Sequence, residues 1–388
     1  MESPLVQRMQ GFGSTIFAEM SALALEHDAV NLGQGFPDTD GPREVLDAAK
    51  AAIDAGRNQY PPGPGVPELL DAVAAHQDRF YGISLDPRSQ VLVTVGATEA
   101  IAATILALCE PGDEVVTFEP YYDSYAASIA LAGAVRRTSV LRFPDFAVDE
   151  ASLRAAFSER TRLVLLNTPH NPTGKVFTRD ELNLICSLAR EFDAWVVTDE
   201  VYEHLVFDGG EHVPIATLPG MAERTLTISS AAKTFSVTGW KVGWVTGPAE
   251  AVAAVRTVKQ FLTYVGSGPF QPAVAVGLGL GDDVYAGFTR TMQAQRDVLV
   301  AALRDELGLP VSVPGGTYFV IADVAKLGAR DGLAFCRELP ARAGVAAVPV
   351  SVFHDDEDAA RTLVRFAFCK REDVLREAAR RLAQLRTA

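Results

Sequence analysis

Cysteine is scarce in this chain: four occur in 388 residues, at positions 109, 186, 336 and 369. None forms a C-x-x-C pair, so neither a disulfide framework nor a thiolate zinc site is expected. The histidines contain no H-E-x-x-H, and no metal site is expected from their pattern. Long apolar runs are also missing. The longest, AIAATILALC (100–109), falls well short of the roughly 20 residues a membrane span needs. Residues 1–30 carry Glu2, Arg8, Glu19 and Glu26 and lack the apolar core of a secretion signal. Positive charge is in short supply, with Lys plus Arg at 35 against Asp plus Glu at 49, a net −14. That balance disfavours nucleic acid and anionic membranes as partners. It leaves room for an anionic small ligand met by a few local cations. A cytoplasmic protein with small-molecule partners is expected.

What is present is ample core material: 48% of residues are hydrophobic and 22% charged, an ordinary globular balance. The length predicts more than one domain at roughly 150 residues each. Continuous apolar stretches alternate with amphipathic ones. VLVTVG (91–96), EVVTF (114–118), LVLLN (163–167), WVVTD (195–199), TLTIS (225–229) and KVGWVTG (241–247) read as strands. ATEAIAATILALCE before Pro111-Gly112, YDSYAASIALAG (122–133) and TRDELNLICSLARE (178–191) read as helices, the last with Thr178 and Glu181 spaced as a capping box. Buried strands between helices mean an α/β fold with a mainly parallel sheet covered on both faces. Ligands of such sheets bind outside the carboxyl ends of the strands. Asn167, Asp199 and the turn from Ser229 to Lys233 all follow strand ends.

The flanks differ from this pattern. Residues 276–388 mix helices with short strands such as TYFVIAD (317–323) and TLVRFAFC (362–369), and predict a smaller α+β domain. Residues 1–30 are expected to pack with it as an arm and helix, leaving 31–275 as the large domain. NQYPPGPGVPE (58–68) is too rich in Pro and Gly for a regular element and reads as a stiff exposed loop.

Several motifs carry chemistry. GATEA (96–100) joins a strand to a helix through small residues, which suits a phosphate at the helix N-terminus; a plain turn is the alternative. NTPHNPTGKV (167–176) is a stiff turn that would fix the Asn171 amide. In TDEVYEHL (198–205), Asp199 and Tyr202 face the same way if a helical turn begins there, although Asp199 also suits a simple N-cap. Lys233 follows Ser229, Ser230 and two alanines. In a confined apolar pocket its pKa falls and it becomes a Schiff-base nucleophile and general base; the alternative is a lysine whose stem merely covers apolar surface. Lys241 is placed to neutralise a phosphate. A phosphate cradle, a strand-end carboxylate, an ordered Tyr and Asn and a confined lysine are the parts pyridoxal 5′-phosphate requires.

With these parts in place the chain resembles the class I/II aminotransferases of fold type I. The likeness runs through NLGQGFPD (31–38), NQYPPGPG (58–65), VTVGATEAI (93–101), EPYYDSY (119–125), NTPHNPTG, TDEVYEHL, SSAAKTFSVTGWKVGW (229–244) and VRFAFCK (364–370). Within the class it is similar to the kynurenine and glutamine aminotransferase branch, and most of all to the actinobacterial aminotransferases that act on N-succinyldiaminopimelate in lysine biosynthesis. The resemblance implies a large domain with a seven-stranded sheet and a small α+β domain. It implies ping-pong transfer between an amino acid and a 2-oxo acid, and a homodimer with shared sites. By the same resemblance Lys233 carries the cofactor and moves the substrate proton. Asp199 pairs with the pyridine nitrogen, and Asn171 and Tyr202 bind the phenolate oxygen. Tyr122 stacks on the ring. The Ala97 and Thr98 amides, Ser230 and Lys241 hold the phosphate, and Tyr60 reaches the phosphate of the neighbouring subunit. Arg365 clamps the substrate carboxylate with Asn171 and the Gly35 backbone. Phe17 falls where some branch members carry a Trp against the substrate side chain. Lys241 stands where much of the wider class has Arg, so the phosphate meets a point charge rather than a fork.

A cysteine-conjugate β-lyase would use the same residues and is not separated by the sequence. A non-enzymatic sensing module is disfavoured, because no basic helix-turn-helix precedes the arm. Tyr264, Phe270, Tyr318 and residues 352–358 are candidates for the side-chain pocket.

Overall fold

The structure is a computed structural model that describes residues 4–13 and 15–386. The rest of the expected arm, residues 1–3 and 14, lies outside the described residues. Strand β1 (Val30–Asn31) precedes the strands of the main sheet. These are β2 (Val91–Val95), β3 (Glu114–Glu119), β4 (Val135–Val140), β5 (Thr161–Asn167), β6 (Trp195–Asp199), β7 (Thr225–Ser230) and β8 (Val242–Thr246). They form one seven-stranded sheet in the order β2-β8-β7-β6-β5-β3-β4. All pairings are parallel except those of β8, which runs antiparallel to β2 and β7.

The sequence dictates this arrangement. β3 and β6 are buried almost throughout, and β5 at every position but one; strands covered on both faces must be continuously apolar. β4, VRRTSV, was not legible as a strand. It lies at the sheet edge with alternating exposure, where arginines are tolerated. The helix Arg179–Glu191 begins with the expected capping box, Thr178 and Glu181 bonding each other's backbone reciprocally. The helices Gly96–Leu108 and Asp123–Ala132 follow β2 and β3 as read, the second closed by Gly133 in the left-handed conformation. The helix Pro67–Tyr81 begins inside the expected loop 58–68, with Pro67 at its first position.

The remaining strands are β9 (Val311–Ser312), β10 (Phe319–Asp323), β11 (Val345–Ala346), β12 (Val348–Pro349) and β13 (Leu363–Ala367). β12-β13-β10-β9 form an antiparallel sheet, and β1 pairs in parallel with β11. This pairing ties residues 30–31 to the C-terminal part. The expected boundary at 275 falls inside the helix Phe270–Leu278, which packs against helices Arg43–Asp54 and Pro67–Tyr81.

Two features of the main sheet position a site. β4 extends the sheet to one side of β3, while β5, β6 and β7 extend it to the other. The crevice at such a switch point receives the ends of several strands. Because β8 is antiparallel, its N-terminal end lies at the same sheet edge as the carboxyl ends of the other six, and this brings Lys241 there.

Candidate active site

A cavity of about 290 Å³ opens at this edge. It is lined by Phe17, Gly35, Ala97, Thr98, Tyr122, Asn171, Asp199, Tyr202, Ser230, Lys233, Lys241 and Arg365. Every expected site residue is therefore present except Tyr60. Tyr60 is 82% exposed, and its ring meets Tyr264 edge-on at 5.7 Å.

Asp199 ends β6 and is 4% exposed. Its Oδ2 accepts from the Tyr125 hydroxyl at 2.7 Å and its Oδ1 from the Val201 amide at 3.3 Å. Residues 201–204 form a turn, not a helix, so the helix N-cap alternative falls. Burial pushes the Asp199 carboxyl up to about 6 against the pull of Tyr125. Asn167 fastens two neighbours at once. Its Nδ2 donates to the Asp199 carbonyl at 2.7 Å, and its Oδ1 accepts the Asn171 amide at 2.6 Å.

Lys233 lies in the short helix Ala231–Thr234 that follows β7. Its Nζ donates to the Gly35 carbonyl at 3.3 Å and stands 5.8 Å from the Tyr202 ring centroid and 5.5 Å from that of Tyr318. Burial brings its amine down to about 8. Among the described residues no carboxylate forms an ion pair with Lys233, and no cation forms one with Asp199. The surface-stem alternative for Lys233 is thus removed. Tyr318 is fully buried, and its hydroxyl donates to the same Gly35 carbonyl at 2.5 Å.

The phosphate-sized end is built from glycine. Gly96, with φ +72°, starts the helix Gly96–Leu108. A Cβ there would come within 3.0 Å of Lys241 Cε and 3.1 Å of its Nζ, and one on Gly243 within 2.6 Å of the Gly96 carbonyl carbon. Lys241 Nζ reaches Thr98 Oγ1 at 3.5 Å. Free N–H groups, a helix start and an ammonium converge on one point, the arrangement that binds phosphate.

Arg365 lies on β13, between β12 and β10 and not at an edge, so the surface-arginine alternative is excluded. It is 2% exposed. Nη1 donates to Asn171 Oδ1 at 2.9 Å and Nη2 to the Gly33 carbonyl at 3.0 Å, while Nε is buried without a partner. The guanidinium lies 4.0 Å from the Phe319 ring, 5.3 Å from Phe17 and 5.4 Å from Phe353. Burial lowers it to about 10, which leaves it cationic at neutral pH.

Sequence reasoning missed Tyr125, Phe319 and the part played by Phe353. Tyr125 sits in the EPYYDSY motif on the helix Asp123–Ala132, but nothing in its local pattern shows that it reaches the carboxylate at the end of β6. Of the suggested pocket residues, Phe270 instead stacks on Trp240 at 4.6 Å, and Tyr264 packs on Tyr60.

The site can be tested against pyridoxal 5′-phosphate on these observations. A buried carboxylate and the amine of a half-buried lysine face one cavity without pairing, and a glycine cradle with a second lysine closes one end. A protonated ring nitrogen, an aldehyde and a phosphate match these groups in turn, so the residues fit the cofactor.

Fold and site together define an aminotransferase. The family model of class I and II aminotransferases matches residues 27–382, and the chain belongs to that family. Among its relatives is a probable N-succinyldiaminopimelate aminotransferase of Mycobacterium tuberculosis, 53% identical over 98% of both chains. The solved structure of N-succinyldiaminopimelate aminotransferase from that organism superposes with a TM-score of 0.96 at 54% identity, covering 98% of this chain and 100% of the other. A methionine aminotransferase of Escherichia coli is 42% identical over 99% of both chains. A mouse kynurenine–oxoglutarate transaminase is 39% identical over 95% of this chain and 87% of its own.

Proposed function

We propose that the chain transfers the amino group of N-succinyl-LL-diaminopimelate to 2-oxoglutarate, with pyridoxal 5′-phosphate seated in the cavity described above. The observation that carries the cofactor reading is the pairless juxtaposition of buried Asp199 and half-buried Lys233 at one cavity. The substrate reading rests on likeness to the mycobacterial relative.

When bound, the cofactor supplies an aldehyde that takes up the amino group and a protonated ring that draws electrons from the substrate Cα. Each side chain then has a task. Asp199, held by Tyr125, would keep the ring nitrogen protonated; pairing with that cation offsets the burial that raises its carboxyl. Lys233 would carry the cofactor through Nζ. Its amine would also take up and release the proton of the substrate Cα. An amine near 8 is poised to exchange protons at neutral pH. Tyr202 and Asn171 would donate to the ring's phenolate oxygen. Tyr122, whose phenol burial pushes up to about 12 and so keeps neutral, would lie against the ring. The Ala97 and Thr98 amides, Ser230 and Lys241 would hold the phosphate. Arg365, with Asn171 and the Gly35 backbone, would grip the substrate carboxylate, and Phe17 would border the substrate side chain.

The exposed Tyr60 fits a homodimer in which it reaches the partner's phosphate. Residues 276–388 with the arm at 1–30 would form the small domain beside the large domain 31–275, with the division moved just past Leu278 so that the helix Phe270–Leu278 stays whole. No helix among the described residues is long and apolar enough to cross a membrane, in keeping with a cytoplasmic enzyme.

A half-reaction screen tests the proposal. The purified yellow protein is mixed with N-succinyl-LL-diaminopimelate, methionine, kynurenine, glutamine, glutamate or aspartate, and the loss of cofactor absorbance is followed. The succinyl compound is expected to react with the highest kcat/KM. A tenfold preference for methionine or kynurenine would overturn the substrate assignment. Pyruvate and ammonia from a cysteine conjugate without an oxo-acid acceptor would instead reveal a β-lyase.

A further inference from the structure

Behind the turn that carries Tyr202 lies a second polar cluster, outside the cavity just described. His76, on the helix Pro67–Tyr81, meets His204 with Nε2 to Nε2 at 2.7 Å. Glu203 stands beside them, and one donor atom from each of the three lies within 4.8 Å of the others. His76 is 2% and Glu203 4% exposed. Glu203 Oε1 accepts from Ser229 Oγ at 2.6 Å, whereas Oε2 is buried without a hydrogen-bond partner. Among the described residues no Lys or Arg forms an ion pair with Glu203. The nearby Arg79 is committed to Asp282 at 2.5 Å.

The surroundings are electronegative. Glu200 is buried and pairs with His212 at 2.7 Å. A buried carboxylate without a cation is costly. The hydrogen bond between the two imidazoles leaves both His76 Nδ1 and Glu203 Oε2 buried without a partner. A cavity of about 420 Å³, bordered by Glu203, His204, Glu211 and His212, reaches the cluster. It provides an entry path and room for further ligands.

We propose that His76, Glu203 and His204 form a binding site for a divalent transition metal of the zinc type, with two imidazole nitrogens and one carboxylate oxygen as ligands and its open side toward this cavity. Two histidines, a glutamate and an open position are a known zinc donor set. Tetrahedral binding at metal–nitrogen distances of about 2.0–2.1 Å needs the two nitrogens roughly 3.3 Å apart, about 0.6 Å further than they stand, so the rings must turn from facing each other toward a common point. His76 and His204 are far apart in sequence and joined by no local spacing, so motif reading expects no site here. Glu203 follows Tyr202 and rests on Ser229, the neighbour of Ser230. A bound ion would therefore brace the turn behind the reaction cavity. The proposal does not depend on the amino-acid substrate.

Cobalt(II) is the probe, because its ligand-field bands lie at longer wavelength than the cofactor band. The holoenzyme, stripped of metals and of unbound cofactor, is titrated with Co²⁺ by equilibrium dialysis and visible absorption. One ion per chain is expected, with affinity reduced at least tenfold in His76→Gln and in His204→Gln while the cofactor band and Tm stay unchanged. X-ray absorption at the cobalt edge of the unmodified protein reads the ligands without any substitution, and two imidazoles are expected. No stoichiometric binding, variants that bind as well as the parent, or a cobalt shell lacking paired imidazoles would each overturn the site.

Discussion

Arg365 offers the sharpest quantitative test of the substrate end of the cavity. Its guanidinium is buried, cationic and fixed by Asn171, Gly33 and the Phe319 ring. Its Nε is buried without a partner in the folded chain. Arg365→Lys keeps a charge but removes the fork, so one of two charge-assisted hydrogen bonds is lost. At about 1.5–3 kcal/mol for such a bond, kcat/KM should fall roughly 10- to 150-fold. Arg365→Ala leaves a buried carboxylate with no counter-ion. By analogy with breaking a buried pair this costs about 3–5 kcal/mol, or roughly 10² to nearly 10⁴ in rate. The assay is steady-state kinetics with the amino donor and the oxo-acid acceptor varied separately. Both carry the carboxylate, so both KM values should rise. The slow half-reaction of an amine lacking that carboxylate should be unaffected, and retained cofactor absorbance and Tm show that the fold is intact. Unchanged KM values in the lysine variant, or an equal loss with the carboxylate-free amine, would refute the clamp.

Two further outcomes follow from the cofactor end. Asp199 has its pKa raised from 3.8 to about 6 by burial. Its contribution to the stability of the cofactor-free protein is thus fully present below about 3.8 and lost as pH rises through about 6. At roughly 1.4 kcal/mol per unit, cofactor-free Asp199→Asn should gain about 3 kcal/mol on the parent between pH 4 and pH 7. Thermal unfolding against pH measures this, and parallel curves would contradict it. Lys241→Ala should raise the dissociation constant of pyridoxal 5′-phosphate from the stripped protein roughly 10- to 150-fold, the worth of one hydrogen bond to a charged group. Gly96→Ala should also weaken binding, since its φ of +72° is strained for alanine and its Cβ would crowd the Lys241 ammonium. Dialysis equilibrium with the cofactor reads both, and unchanged affinity in Lys241→Ala would remove that lysine from the phosphate site.

The parallel sheet was legible because buried strands such as LVLLN and WVVTD must be apolar throughout. The capping box at Thr178 was legible because it is written in adjacent residues. Lys233, Asp199 and Asn171 could be placed because each follows a strand that ends at the same sheet edge. The β4 edge strand was hidden by its exposed arginines. The grip of Tyr125 on Asp199 joins positions 74 residues apart, and the aromatic wall around Arg365 draws on Phe17, Phe319 and Phe353 from distant segments. Contacts of this kind arise from the register between elements, which no local pattern records. Tyr202 was expected to share a helical turn with Asp199. The structure reaches the same juxtaposition through a non-helical turn, pinned where the Ser229 hydroxyl meets Glu203.

The central claim is that the amine of Lys233 carries the cofactor opposite Asp199. Reduction of the purified yellow protein with borohydride fixes the cofactor to whichever amine holds it, and peptide mass spectrometry then locates the adduct. A single phosphopyridoxyl mass is expected on the peptide containing Lys233, and none when Lys233 is replaced by Ala. An adduct on Lys241 or on any other lysine, or a protein that turns over normally without Lys233, would contradict it.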